Sequence, residues 1–127
     1  MDKYLGIDYG SKRTGVAISD EEGRIAFPRE VLPTGPGLAE TISDLCRKEK
    51  VEAIVLGQSL DYKNAPNPIQ SAIENWKLKI ENLTGLPVYY QSELWTSAEA
   101  SRNTAKKDLD ASAAALILQA YLDKHKS

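Results

Sequence analysis

Leu5-Gly6-Ile7-Asp8-Tyr9-Gly10-Ser11-Lys12-Arg13-Thr14-Gly15-Val16-Ala17-Ile18-Ser19-Asp20 is the stretch whose reading decides the fold. An apolar run carries one carboxylate, Asp8, to the end of a predicted strand. A turn with Gly10 and Gly15 around a polar tetrad follows, and Val16-Ala17-Ile18 leads away as a second strand. Glycine lets a backbone approach a ligand closely. Hydroxyls, lysine, arginine and exposed backbone N–H groups are what phosphate oxygens seek. An acid beside such a turn points to metal-assisted phosphate chemistry. The competing reading is a β-hairpin in which Asp8 only caps the turn.

Outward from this stretch, composition narrows the chemistry. With 127 residues, 42% apolar and 27% charged, the chain is expected to form one domain spanning 1–127 with a core that needs no staples. Cys46 is the sole cysteine and His125 the sole histidine, set in the charged tail Asp123-Lys124-His125-Lys126. Disulfide frameworks and Cys/His zinc sites are thereby excluded, so acid–base or metal chemistry has to rest on carboxylates. No apolar run approaches the ~18–20 residues of a membrane span. Met1-Asp2-Lys3-Tyr4 does not begin a signal peptide, and the expected location is cytoplasmic. A net charge of −2 argues against an overall basic nucleic-acid module. The positive residues are nevertheless grouped, as Lys12-Arg13, as Arg47-Lys48 with Lys50, and as Arg102 with Lys106-Lys107.

Tyr4 to Asp8, Thr14 to Ser19 and Arg24 to Phe27 read as three strands of an antiparallel meander, the third ending near Pro28. Glu30-Val31-Leu32-Pro33 is extended. Leu38, Ile42, Leu45 and Cys46 fall at helical spacing, which predicts a helix from Leu38 to Lys50 with Cys46 in the core. Ala53-Ile54-Val55-Leu56-Gly57 is a continuous apolar run, as in a central parallel strand covered on both faces. Asp61 to Pro68 is a polar loop, and Ile69 to Leu83 hold a second helical stripe. Leu86 to Gln91 is another strand. Thr96-Ser97-Ala98-Glu99 matches a capping box for a helix to about Lys106, and a last helix runs from about Asp108 to Lys124. The order βββ-α-β-α-β-α-α predicts a mixed sheet with helices packed on its faces.

Two more carboxylates compare with Asp8. Glu93 lies just beyond the strand ending at Gln91, and Asp110 begins the apolar stripe of the last helix. Each has an ordinary alternative, since acids often follow strands and a helix-start aspartate can cap free N–H groups. Together they suggest more, because strand ends and a helix start can meet at one sheet edge. Three converging carboxylates do not all stay ionised without compensation, and a hard cation such as Mg²⁺ or Mn²⁺ supplies it. Two such ions could serve phosphodiester cleavage.

Gly6-Ile7-Asp8-Tyr9-Gly10-Ser11-Lys12-Arg13-Thr14-Gly15-Val16-Ala17, with Leu109-Asp110-Ala111-Ser112-Ala113-Ala114-Ala115-Leu116-Ile117-Leu118-Gln119 near the other end, resembles the YqgF family. These are Holliday-junction-resolvase-like proteins to which pre-16S ribosomal RNA nuclease activity is also ascribed. The resemblance covers essentially the whole chain, including the Ile54-Val55-Leu56-Gly57 strand. It implies an α/β, RNase H-like fold, a mixed five-stranded sheet with helices on both faces, and a site of three acids. Those acids fall on Asp8, Glu93 and Asp110. Lys12 and Arg13 match the family's basic turn, and Thr96 its hydroxyl after the glutamate. The family usually carries Asp-Glu-Arg-Leu-Thr-Thr where this chain has Ser92-Glu93-Leu94-Trp95-Thr96-Ser97. Its Gly-Leu-Pro-Leu segment is here Gly57-Gln58-Ser59-Leu60. These departures keep the three expected ligands and bear on substrate positioning.

The leading expectation is a metal-dependent nuclease acting on structured nucleic acid, pre-rRNA or branched DNA. Asp8, Glu93 and Asp110 would hold the ions, and Lys12, Arg13 and Thr96 would contact substrate. A non-catalytic nucleic-acid-binding domain of the same fold is the alternative, favoured by Ser92 and Leu94 and opposed by survival of the acids. A phosphate-binding kinase or ATPase of the sugar kinase, Hsp70 and actin superfamily is set aside on length, because those proteins close two such domains over a nucleotide. Monomer and homodimer both stay open.

Overall fold

The structure is a computed structural model that describes the backbone of residues 3–10, 12–58, 68–92 and 106–124, and the side chains of these except 58, 68–70, 92 and 106–112. Five strands form one sheet: β1 (Tyr4–Asp8), β2 (Arg13–Ser19), β3 (Ala26–Pro33), β4 (Ala53–Gln58) and β5 (Val88–Ser92), in the order β3-β2-β1-β4-β5. β1 pairs antiparallel with β2, and β2 antiparallel with β3. β4 runs parallel to β1, and β5 parallel to β4. The helices among the described residues are α1 (Leu38–Glu49), α2 (Pro68–Thr84) and α3 (Lys106–Lys124). The expected meander and the parallel second half are both present. The helix expected after Thr96 lies outside the described residues, as does most of the loop expected from Asp61 to Pro68.

Strand alternation divides the core in two. Leu5, Ile7, Val16, Ile54, Leu56 and Val88 point to one face and pack with Leu38, Ile42 and Leu45 of α1 and with Ile73, Trp76 and Ile80 of α2. Ala17 and Val55 point to the other and pack with Ala114, Ile117, Leu118, Tyr121 and Leu122 of α3. That double burial is why β4 reads as an unbroken apolar run. Burying side chains such as Ile54, Leu56, Ile117 and Leu118 contributes roughly 1.5–3 kcal/mol each before the entropy of ordering is subtracted. The buried thiol of Cys46 has its pKa pushed up to about 11 by desolvation, in keeping with its expected place in the core.

The boundary that differs most from the sequence reading is the end of β3. β3 does not stop at Pro28 but runs through it to Pro33, absorbing the segment read as merely extended. Pro28 lies opposite Ala17, and the register slips so that Val16 meets Glu30, leaving Arg29 as an extra residue. β3 is an edge strand, so a missing N–H there costs no ladder bond, and the bulge absorbs the irregularity. Between β2 and β3, Asp20 turns the chain by accepting hydrogen bonds from the backbone N–H of Arg24 (2.8 Å) and Ile25 (3.3 Å). These bonds, the Arg24 one foremost, lower the Asp20 pKa.

Candidate active site

Asp8 is the last residue of β1, the central strand, and it is half-buried. Alternation along β1 sends Leu5 and Ile7 to the α1/α2 face, and Tyr4, Gly6 and Asp8 to the α3 face. On β2 the same count puts Arg13, Gly15 and Ala17 on the α3 face, and Asp8 lies directly opposite Gly15. On β4 it puts Val55 and Gly57 there, and Gly57 stands one step past the paired residues Ile7 and Leu56. Asp8 is therefore flanked on both sides by residues without a side chain.

The course of α3 follows from three contacts. The Tyr121 ring lies 5.9 Å from that of Tyr4, at the start of β1. A Cβ built on Gly6 would stand 2.7 Å from Leu118 Cβ and 3.0 Å from the Ala114 carbonyl oxygen. α3 thus runs antiparallel to β1 and presses on it at Gly6, where only glycine allows the approach. Moving from Gly6 to Asp8 along the strand is moving from Leu118 and Ala114 toward the helix N-terminus. The backbone of Asp110 lies one turn before Ala114, on the side toward the Asp8 end.

The turn after Asp8 is pinned from the opposite face. The buried Thr14 hydroxyl meets the Thr34 hydroxyl at 2.7 Å, and Thr34 Oγ1 also donates to the Gly10 carbonyl at 2.7 Å. The Thr34 N–H donates to the Lys12 carbonyl at 3.0 Å. A Cβ on Gly10 would collide with the Arg13 carbonyl oxygen, so the turn is too tight there for any other residue. Lys12 and Arg13 are exposed at this same end of the sheet, with Arg13 on the α3 face beside Gly15. Behind the turn, the Tyr9 ring packs 5.5 Å from Trp76.

Of the residues expected from sequence, Asp8, Lys12 and Arg13 fall at one sheet end, and the backbone of Asp110 approaches it. Glu93 and Thr96 lie outside the described residues, just past the end of β5 at Ser92. Among the described residues no three Asp, Glu, His or Cys side chains gather into a metal-binding group. The available donor is nevertheless of the right kind for a hard cation. Asp8 offers carboxylate oxygen, its neighbours Gly15 and Gly57 carry no side chain, and the soft ligand Cys46 belongs to the core on the other face.

Sequence reading missed Gln91. β5 brings it opposite Gly57, and since Tyr89 stacks on Tyr121 of α3 (5.6 Å, 16°), Gln91 shares that face. It is 6% exposed, although polar. The signal was available, a polar residue at the inward phase of a strand whose preceding residues were apolar, but phase alone did not say which face carried the site.

A sheet ordered β3-β2-β1-β4-β5, antiparallel in its first half and parallel in its second, with an acid closing the central strand, defines an RNase H-like protein. Solved structures agree on the fold. RuvC of T. thermophilus in complex with a Holliday junction substrate superposes with a TM-score of 0.64 at 16% identity, covering 96% of this chain and 94% of that one. Fowlpox virus resolvase with Holliday junction DNA gives 0.62 at 11%, covering 98% and 99%. Within that class the chain belongs to the RuvX family, described as Holliday junction resolvase, whose family profile matches residues 2–124. A relative from Streptococcus mutans, named "Putative pre-16S rRNA nuclease", is 37% identical over 136 aligned residues, covering 96% of this chain and 98% of its own. One of the same name from Lawsonia intracellularis is 32% identical, covering 98% and 96%. No helix among the described residues is long and apolar enough to cross a membrane.

Proposed function

We propose that this chain is a divalent-metal-dependent nuclease that hydrolyses phosphodiester bonds of structured nucleic acid. The 5′ end of pre-16S rRNA is its substrate in this reading, and branched DNA is the substrate that competes with it. The observation that carries the proposal is the half-buried Asp8 between Gly15 and Gly57, with the basic turn beside it and the start of α3 directed toward it. Full-length relatives named for rRNA nuclease activity support it.

Asp8, Glu93 and Asp110 would hold Mg²⁺ or Mn²⁺ through hard carboxylate oxygens. When bound, such ions supply charge that activates water and stabilises the leaving oxygen. Arg13 reaches the backbone phosphates from the strand next to Asp8, and Lys12 from the exposed turn. The guanidinium favours paired contact with phosphate oxygens, whereas the ammonium acts as a point charge. The Thr96 hydroxyl is assigned to substrate as well. The Thr14–Thr34–Gly10 chain of hydrogen bonds keeps the turn from shifting as a charged strand docks.

Asp8→Asn tests the assignment. It removes a ligand charge and keeps the volume, so cleavage of a pre-16S 5′ segment should be lost while the melting temperature stays equal or rises. A variant that cuts as fast as the parent in Mg²⁺ or Mn²⁺ would show that Asp8 is not a metal ligand.

A further inference from the structure

α1 ends on a left-handed residue. Lys50 caps it with φ 57° and ψ 47°, and among the described residues no other non-glycine has a positive φ. Its N–H donates to the Arg47 carbonyl at 3.4 Å, and the Val51 N–H to the Cys46 carbonyl at 2.9 Å. Glycine or asparagine normally takes such a cap, because a longer side chain strains the left-handed backbone. Here the strain is kept at a lysine that is exposed and forms no ion pair with a described residue. Arg47 and Lys48 in the last turn already offset the negative end of the helix dipole, so Lys50 is not needed for that task.

Lys50 stands between two grooves. One, of about 200 Å³, is lined by Lys3, Glu21, Lys48, Glu49 and Lys50. The other, of about 350 Å³, lies between the C-terminal ends of α1 and α2, where Arg47 and Lys50 share the wall with Leu83 and Leu86. Lys3 (3.2 Å) and Arg29 (3.1 Å) share the single Glu49 carboxylate, which leaves that group one surplus positive charge. Lys48 and Lys50 add to the surplus, and Glu21 takes only part of it away. A local positive excess thus stands on a chain whose net charge is −2.

We infer that Lys50 is a backbone-phosphate contact for structured RNA, at an anchoring site formed with Lys3 and Lys48. This contact deepens the nuclease reading, rests on it for the nucleic acid, and gives Lys50 no part in the chemistry. The Lys3 carbonyl accepts from the Glu52 N–H at 2.8 Å just before β1, and Asp8 closes the other end of that strand. Five residues at ~3.4 Å each set the two ends ~17 Å apart. One strand of a duplex carries about five phosphates over that distance.

The form of the site selects its occupant. The first groove offers charge and no apolar wall, which suits a hydrated anion such as phosphate. Grooves on both sides of Lys50 suit a polymer passing it rather than a single ion, and Leu83 and Leu86 can meet the less polar edge of a sugar. An ammonium holds phosphate as a point charge, which positions a strand without reading its bases.

The test is binding of an RNA hairpin in metal-free buffer across a salt series, using the full chain and its Lys50→Gly, Lys50→Asn and Lys79→Gln variants. Glycine and asparagine both fit the left-handed cap and lack the ammonium. Lys79→Gln matches the change in net charge at an exposed lysine of α2 that lies 3.9 Å from Glu40. Lys50→Gly should weaken binding about 3- to 10-fold at low salt. The slope of log affinity against log salt should flatten by ~0.7–0.9, as for one lost phosphate contact. Its melting temperature should rise by ~2–5 °C as the cap strain is relieved. Lys50→Asn should lose affinity likewise, and Lys79→Gln should bind as the parent does. Weaker binding by a more stable protein is an outcome that a purely structural lysine does not give. Parental affinity and slope in Lys50→Gly, an equal loss in Lys79→Gln, or a lower melting temperature for Lys50→Gly would each overturn the inference. So would poly-glutamate that displaces the hairpin as well as unlabelled RNA of equal charge does, since the grooves would then seat an acidic protein. Cleavage in Mn²⁺ is measured separately on the parent. Affinity lost in Lys50→Gly without cleavage by the parent would support the anchor and refute the nuclease, and cleavage with unmoved affinity would do the reverse.

Discussion

Gly6→Ala places one methyl group where α3 presses on β1. The new Cβ would stand 2.7 Å from Leu118 Cβ and 3.0 Å from the Ala114 carbonyl oxygen. Carbon atoms pack at ~3.5–4.0 Å, so the helix has to retreat by about 1 Å. Overpacking of this kind costs ~1–3 kcal/mol. Alanine also restricts the unfolded chain, which returns ~0.4–1 kcal/mol. A net loss of ~1–2 kcal/mol remains. Unfolding entropy of ~2.1 cal/mol/K per residue then gives a melting temperature lower by ~4–7 °C for a chain of this length. Because α3 carries Asp110 toward the Asp8 end, the same retreat should lower kcat, and ~1 Å of misplacement can cost ~100-fold. Calorimetry and single-turnover cleavage of an RNA substrate, both below the transition, measure the two effects. Leu118→Ala is the control, a cavity on the same helix that forces no retreat: it should lose at least as much stability and far less activity. A Gly6→Ala protein that melts at or above the parent temperature would refute the close-approach argument. One that melts lower but cuts at the parent rate would refute the link from α3 to the site.

Three further expectations follow from described contacts. Thr34→Val removes the donor to the Gly10 carbonyl and strands the buried Thr14 hydroxyl, for a loss of ~1–3 kcal/mol by urea denaturation; Thr14→Val,Thr34→Val should recover part of it. Glu49 accepts from Lys3 at 3.2 Å and pairs with Arg29 at 3.1 Å, and these partners, the Lys3 hydrogen bond first, lower its pKa. A depressed carboxylate pKa stabilises above the unfolded value of ~4.3 and is lost as pH falls through the folded one, so Glu49→Gln should cost about 1 kcal/mol at pH 7 and nothing near pH 2. Cys46, held protonated with its pKa at about 11, should react with a thiol reagent at pH 8 far more slowly in the native protein than in guanidinium, and native alkylation at the denatured rate would contradict its burial.

Much of this fold was legible because period and burial agree in it. The continuous run Ala53–Gly57 marked β4 as a strand buried on both faces, and α1 showed its stripe of Leu38, Ile42, Leu45 and Cys46. Pro28 misled because proline opposes a central strand, and sequence did not reveal that β3 lies at the edge. For the site, Asp8, Lys12 and Arg13 were legible as one continuous motif. The part played by Gly6 was not, since it depends on a helix more than a hundred residues along the chain. Gln91 escaped for a related reason. Its burial follows from the face and register that β5 takes beside β4, which the linear pattern does not state.

The arrangement also explains why an acid closes β1 rather than some other strand. β1 is where the sheet changes character, with an antiparallel neighbour on one side and a parallel one on the other. At the end of β1 the chain folds back at once into the tight turn toward β2, whereas β4 and β5 continue in the direction of β1 to Gln58 and Ser92. A group at the end of β1 is thus bordered by a pinned turn on one side and by the ends of β4 and β5 on the other. Both flanking residues on its face are glycine, and the third glycine of that face, Gly6, lowers α3 onto the strand behind it. Gly6 removes bulk so that α3 can come close, while Gly15 and Gly57 put no side chain beside the carboxylate. A half-buried carboxylate thus has a closely packed helix behind it and meets no side chain from the neighbouring residue of either adjacent strand, an arrangement that suits the proposed binding of hydrated ions and phosphate.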